Sequence, residues 1–243
     1  MSELVRLLRS AGRATTRATA GFGARTRESK RRLVLIASLP ALDAAMARQA
    51  AADGADVLEV PLTADDPSSL RAFIEGLDLP VGGTIAGALP PTFDGRAFEG
   101  QGLDYLKVEA GDVPAAVFLI SGVAVVLELK DALTENLLKA LNFLPERAVQ
   151  VDAPDSVEGF TVRELMEKRV DRELVRKPLL MKVGSGIKPV AAQLLTLIAP
   201  NALVVPAAEV AAWSAALEDL KDMDEEEEED SRISLKVPAA NGH

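Results

Sequence analysis

The side chains best suited to chemistry in this 243-residue chain are ionisable groups set within, or at the ends of, short apolar runs. Lys182 ends the run Pro178-Leu179-Leu180-Met181 and is followed by Val183-Gly184-Ser185-Gly186-Ile187-Lys188-Pro189. This stretch reads as a buried strand, a glycine turn and a helix start, with Pro189 at a first helical position where its missing N–H costs nothing. Glu59 lies in Asp56-Val57-Leu58-Glu59-Val60, Lys107 in Leu103-Asp104-Tyr105-Leu106-Lys107-Val108-Glu109, and Glu128 in the run Val123 to Leu129. A charge inside an apolar strand is costly unless it is paired, so Glu59, Lys107, Glu128 and Lys182 are expected to meet. Such a cluster could do acid–base or amine chemistry, or could be a buried ion-pair network that fills a core without a substrate. Gly184, Ser185 and Gly186 offer a small-residue turn before a helix start, which suits an anionic phosphate. The same glycines also serve a tight strand-to-helix turn, and the residues alone leave both readings open.

Composition narrows the chemistry. The chain has no cysteine, and its one histidine is the last residue, His243. Thiolate metal sites, cysteine nucleophiles, histidine triads and His-ligated zinc therefore fall away. Acid–base work is left to Asp, Glu, Lys or Tyr105. Glu59, Glu109, Glu128 and Asp152 are hard oxygen ligands that could hold Mg²⁺; no tight acidic spacing concentrates them, and no cofactor is expected. The lack of cysteine fits a reducing compartment, so a cytoplasmic location is expected.

The longest apolar run, Val113 to Leu127, is interrupted by Ser121 and Gly122 and falls short of the roughly 20 residues a membrane helix needs. Charge is segregated. Residues 1–32 carry a net +7, residues 218–243 a net −7, and the body between them −10. An acidic body repels phosphate backbones and argues against nucleic-acid binding. The two charged ends are where a protein partner is expected; oligomeric state is not legible.

From Leu33 onward strands and helices alternate. Strands are read at Leu33–Ser38, Asp56–Val60, Leu79–Ile85, Leu103–Glu109, Val123–Leu129, Ala148–Val151, Leu179–Val183 and Ala202–Val205. Helices are read at Pro40–Asp53, Asp66–Gly76, Thr134–Leu144, Val162–Val175, Pro189–Ile198 and Ala207–Leu220, with short ones at most in Gly87–Gly102 and Pro114–Ile120. The strands are continuous apolar runs, as expected when both faces are buried. This pattern resembles a (β/α)8, or TIM, barrel over residues 33–217. A doubly wound open sheet is the alternative, but its usual glycine-rich first turn is here Ala37-Ser38-Leu39-Pro40. The expected organisation is a basic N-terminal helix or arm (1–32), the barrel, and an acidic, disordered tail (218–243). The arm is read as a leading helix that packs on the body or as a loose extension; its Arg-, Ser- and Thr-rich composition also matches an organelle transit segment.

In a barrel, functional groups come from the C-terminal strand ends. That rule adds Ser38, Thr84, Glu109, Lys130 and Asp152 to the four residues above. Met181-Lys182-Val183-Gly184-Ser185-Gly186-Ile187 resembles the seventh-strand region of class I aldolases of the deoxyribose-phosphate type. The Schiff-base lysine of that family lies on strand six, where this chain has Ala148-Val149-Gln150-Val151-Asp152, so the resemblance assigns Lys182 at most a helper position. A desolvated lysine beside a second cation can become nucleophilic, with Lys107 as the second cation. Gly184-Ser185-Gly186-Ile187 is also similar to half of the TIM-barrel phosphate site, whose other half follows strand eight. There this chain has Pro206-Ala207-Ala208-Glu209, and Glu209 would compete with a phosphate for the helix start. Two functions are therefore expected. One is a lyase- or isomerase-type enzyme on a small metabolite, which could be phosphorylated. The other is a non-catalytic, degenerate barrel used for binding or assembly.

Overall fold

The computed structural model describes residues 2–14, 33–62, 68–85, 87, 89–90, 92–111, 113–130, 133–153 and 161–220. Eight parallel strands close on themselves in sequence order: β1 (Val34–Ser38), β2 (Val57–Leu62), β3 (Val81–Ile85), β4 (Tyr105–Glu109), β5 (Ala124–Leu129), β6 (Ala148–Asp152), β7 (Leu179–Lys182) and β8 (Ala202–Pro206). The fold is a (β/α)8 barrel, and β8 closes against β1 by pairing Val34 with Ala202 through to Ser38 with Pro206.

Around the barrel run α2 (Ala44–Ala52), α3 (Ser68–Ile74), α4 (Glu135–Leu141), α5 (Val162–Leu174), α6 (Ala192–Ile198) and α7 (210–220). After β3 and β4 the helical positions hold, among the described residues, 3-10 turns at Gly95–Phe98 and Ala115–Leu119. α2 starts at Ala44 rather than at Pro40, because the Asp43 carboxylate accepts from the N–H groups of Ala45 and Met46 and so sets the N-cap. α5 begins with a capping box, in which Thr161 and Glu164 satisfy each other's backbone donors. α7 ends at residue 220, where the sequence reading ends the closing helix, and so includes the residues 218–220 that the same reading counted with the tail. The acidic stretch 221–243 and the basic stretch 15–32 lie outside the described residues.

Strand alternation divides the core in two. One set of strand side chains, with Leu35, Leu58, Leu106, Leu127, Met181 and Leu203 among them, packs outward against the helices. The other set points into the barrel: Val34, Ile36, Val57, Tyr105, Ala124, Val126, Ala148, Leu180, Ala202 and Val204. The residues nearer the strand starts are apolar. The next inward positions carry Glu59, Thr84, Lys107, Glu128, Gln150 and Lys182, so the barrel becomes polar toward its C-terminal mouth.

The N-terminal helix α1 (Glu3–Ala14) packs on the body, and specifically on the barrel interior. Leu4, Val5, Leu8 and Ala11 are buried in one cluster with the inward-facing strand residues. Their spacing of one, four and seven residues makes a single helical stripe. The helix start is fixed by Asp104, just before β4, whose carboxylate accepts from the Glu3 N–H at 2.6 Å, the Leu4 N–H at 2.7 Å and the Ser2 hydroxyl at 2.8 Å. A carboxylate at a helix N-terminus meets both the unpaired donors and the positive end of the dipole. α1 is thus a plug that closes the strand-start end of the barrel.

Candidate functional site

Glu59, Lys107 and Glu128 are brought together inside the barrel. The Lys107 ammonium donates to Glu59 Oε1 at 2.6 Å and to Gln150 Oε1 at 3.2 Å, and lies 3.9 Å from Glu128 Oε1. Gln150 passes the connection on, donating from Nε2 to Glu128 Oε1 at 3.0 Å. Tyr105 donates its hydroxyl to Glu59 Oε2 at 3.1 Å. All five side chains are buried, Lys107 to 1% exposure and Gln150 to 0%. Cross-strand register explains the meeting: Glu128 stands opposite Gln150, and Thr84 opposite Lys107.

Lys182 is placed differently from its neighbours. Its Nζ lies 3.7 Å from Glu128 Oε1, yet its side chain is 45% exposed. The expectation of Lys182 as a desolvated amine beside Lys107 is therefore corrected. Lys107 is the desolvated lysine, and it is held by a carboxylate; Lys182 stands in the mouth within reach of solvent. The physical reason is depth. Lys182 is the last residue of β7 and pairs with Asp152 at the end of β6, whereas Lys107 sits mid-strand.

Glu128 lies between the two ammonium groups and so separates a sealed chain of contacts below from an open lysine above. Around the rim, Lys130 donates to Glu109 at 2.5 Å, and that bond holds the Lys130 ammonium above the usual lysine range. Thr84 carries a buried hydroxyl that has no hydrogen-bond partner among the described residues. Burial, reinforced by the adjacent Glu59 carboxylate, pushes the Tyr105 phenol well above its ordinary value.

Two residues important to this geometry were not singled out by sequence reasoning. Gln150 is one; its signal was a polar residue at the inward parity of an otherwise apolar strand. Gly82 is the other. A Cβ there would stand 2.0 Å from the Tyr105 ring, so a glycine on β3 is what lets the ring cross toward Glu59. Nothing in the local sequence distinguishes this glycine from Gly83.

Beyond Lys182, the turn is closed by the Ile187 N–H donating to the Gly184 C=O at 3.0 Å. This bond leaves the N–H groups of Ser185 and Gly186 unused by the turn. On the neighbouring strand, the 3-10 turn Ala207–Glu209 opens α7 after Pro206 without a side-chain cap. The Glu209 carboxylate accepts from the Trp213 indole N–H one turn further on, at 3.4 Å, and so has a partner within its own helix. Among the described residues, no group of three or more carboxylates or histidines is arranged to hold a metal ion. No described helix is long and apolar enough to cross a membrane.

No family model matches the chain, and no curated protein does. Solved structures do. Phosphoribosyl anthranilate isomerase from Thermus thermophilus is 19% identical, with a TM-score of 0.58 over 77% of this chain and 100% of that one. 3-Keto-L-gulonate-6-phosphate decarboxylase from Vibrio cholerae is 18% identical, with a TM-score of 0.64 over 80% of this chain and 99% of that one. Thiamine phosphate pyrophosphorylase from Pyrococcus furiosus is 15% identical, with a TM-score of 0.53 over 81% and 97%. At these identities the likeness shows the fold: this is a (β/α)8-barrel protein.

Proposed function

We propose that the chain is a lyase- or isomerase-type enzyme acting on a small, phosphorylated metabolite at the C-terminal mouth of the barrel. The observation that carries this reading is the Lys182–Glu128 pair, an exposed ammonium 3.7 Å from a buried carboxylate at the open end of the polar chain. Lys182 is the group that meets substrate, and Glu128 its acid–base partner. Lys107 and Glu59 do not reach the mouth; they position Glu128 from below, through Gln150. The anionic end of the substrate is assigned to the β7–β8 corner, where the Gly184–Ile187 turn follows β7 and a helix start without a side-chain cap follows β8. The fold likeness to enzymes whose names carry phosphorylated compounds supports this choice of substrate class.

The alternative, a non-catalytic barrel used for binding or assembly, is favoured by one observation. Lys107 and Glu59 already satisfy each other, with Tyr105 and Gln150 completing the shell, and a fully paired network needs no substrate.

Thermal unfolding of the purified protein against inorganic phosphate, sugar phosphates and unphosphorylated keto acids separates the two. A ligand present at a hundred times its dissociation constant adds about 2.7 kcal/mol of stability. The enzyme reading expects a shift with phosphorylated compounds that Lys182→Ala removes while leaving the unliganded melting point unchanged. A panel with no shift, or a shift that survives Lys182→Ala, overturns the assignment and favours the non-catalytic barrel.

A further inference from the structure

The C-terminal ends of α5 and α6 enclose a hollow of about 230 Å³ lined by Arg169, Arg172, Glu173, Val175, Arg176 and Ala199. It lies at the strand-start end of the barrel, opposite the mouth, because each helix runs back against its strand. Arg172 is fixed there by backbone contacts. Its Nε donates to the Ala199 C=O and its Nη1 to the Val175 C=O, both at 3.0 Å. These bonds satisfy carbonyls at the two helix ends and leave Nη2 without a partner among the described residues. Burial pulls the Arg172 guanidinium below the ordinary arginine value, so its charge is short of compensation. Arg169 is paired with Glu173 at 2.8 Å, but among the described residues no carboxylate pairs with Arg172 or Arg176. Three arginines against one glutamate make this a cationic hollow on an otherwise acidic body.

The chain itself supplies a matching anion. α7 ends at residue 220, at the same end of the barrel, and the run Glu225 to Glu229 with Asp230 follows shortly after. β8 stands next to β7 in the closed sheet, so α7 stands beside α6. The hollow between α5 and α6 is then one and a half helix spacings from α7, roughly 15 Å at 8–10 Å per spacing. The five peptide steps from residue 220 to Glu225 span up to about 18 Å. The first glutamates of the run therefore reach the hollow, and the rest can lie across it. Guanidinium groups bind carboxylates in bidentate pairs, and a tethered anion meets them at a high effective concentration that a free one lacks. We propose that the acidic tail of this chain docks its Glu225–Asp230 run in the arginine hollow between the ends of α5 and α6.

Because the chain has no cysteine, a pair of introduced thiols in the full-length protein tests this directly. Leu197 is exposed near the end of α6 and its carbonyl accepts from Arg169 at 3.4 Å, so Leu197→Cys places a thiol beside the hollow without touching its charges. Combined with Glu227→Cys, it should form an intramolecular disulfide on mild oxidation at least about ten times faster than Val190→Cys with Glu227→Cys. Val190 is exposed on the 3-10 turn Pro189–Ala191 after β7, at the opposite end of the barrel. Arg176→Glu should remove that advantage, and so should 1 M salt, where the screening length is about 3 Å. Changing Glu225, Glu226, Glu228 and Glu229 to glutamine should remove it as well. Arg176 is exposed, and circular dichroism of each variant separates lost docking from lost folding. Equal closure of the Leu197 and Val190 pairs overturns the proposal, as does a fast closure that Arg176→Glu or the glutamine tail leaves unchanged. Faster closure of Arg27→Cys with Glu227→Cys overturns it in favour of the basic stretch 15–32 as the tail's partner. A covalent dimer in place of the internal disulfide overturns it in favour of a second copy. If the Leu197 pair closes slowly and inorganic phosphate raises the melting point of the wild type but not of Arg176→Glu, the hollow belongs to a free anion instead.

Discussion

Replacing Tyr105 with phenylalanine isolates the energetics of the barrel interior, because Tyr105 is the only tyrosine in the chain. Its hydroxyl donates to Glu59 Oε2 in a fully buried setting. Removing that donor leaves a buried carboxylate oxygen short of a partner, which costs about 1–3 kcal/mol at neutral pH. The pH dependence is equally specific. The folded phenol sits well above its ordinary value of 10.0, through burial first and the Glu59 charge second. The unfolded phenol loses its proton near pH 10 while the folded one keeps it. The folded state therefore binds more protons, and stability must fall as pH rises above 10. The stabilising contribution is complete below pH 10 and is lost as pH climbs toward the folded value. By pH 11 the loss attributable to this one group is about 1.4 kcal/mol. Urea unfolding of wild type and Tyr105→Phe at pH 8, 10 and 11 should show the gap between them narrowing by that amount, since the lysines titrate alike in both. Phenolate absorbance at 295 nm should stay flat with pH until the far-ultraviolet dichroism collapses. A reversible phenolate titration near pH 10 with the fold intact would refute the burial of Tyr105 against Glu59, and with it the described interior.

Two further outcomes follow from the same contacts. Lys107→Met strands Glu59 in the core without its cation and should destabilise by about 3–5 kcal/mol; adding Glu59→Leu should recover most of that loss, because an apolar pair of similar volume replaces a buried ion pair at little cost. Chemical denaturation of the two variants decides this, and a double variant no better than the single would speak against direct pairing. Asp104→Ala removes the carboxylate that caps α1 and should cost about 0.5–2 kcal/mol, with hydrogen exchange accelerated at Glu3 and Leu4 before any strand residue. Uniform acceleration throughout the barrel would show that Asp104 acts on something other than the helix start.

The eight strands were legible because each is a short apolar run buried on both faces, and such runs alternate with helical stripes along the chain. The candidate residues were legible for a related reason. A charge in an apolar strand must find a partner, and strand parity places Glu59, Lys107 and Glu128 on the inward side. Residue type and spacing thus dictated the barrel and the sign and facing of its interior charges. Depth was decided by the closed sheet. Lys107 and Lys182 look alike in their local runs, but the stagger of the strands seals the first against Glu59 and leaves the second at the mouth. The role of α1 was likewise tertiary: its stripe of Leu4, Val5, Leu8 and Ala11 calls for burial, while Asp104, about a hundred residues away, dictates where. Gly82 shows the same limit most simply, since the need for a missing side chain on β3 arises only when the Tyr105 ring from β4 comes to lie across it.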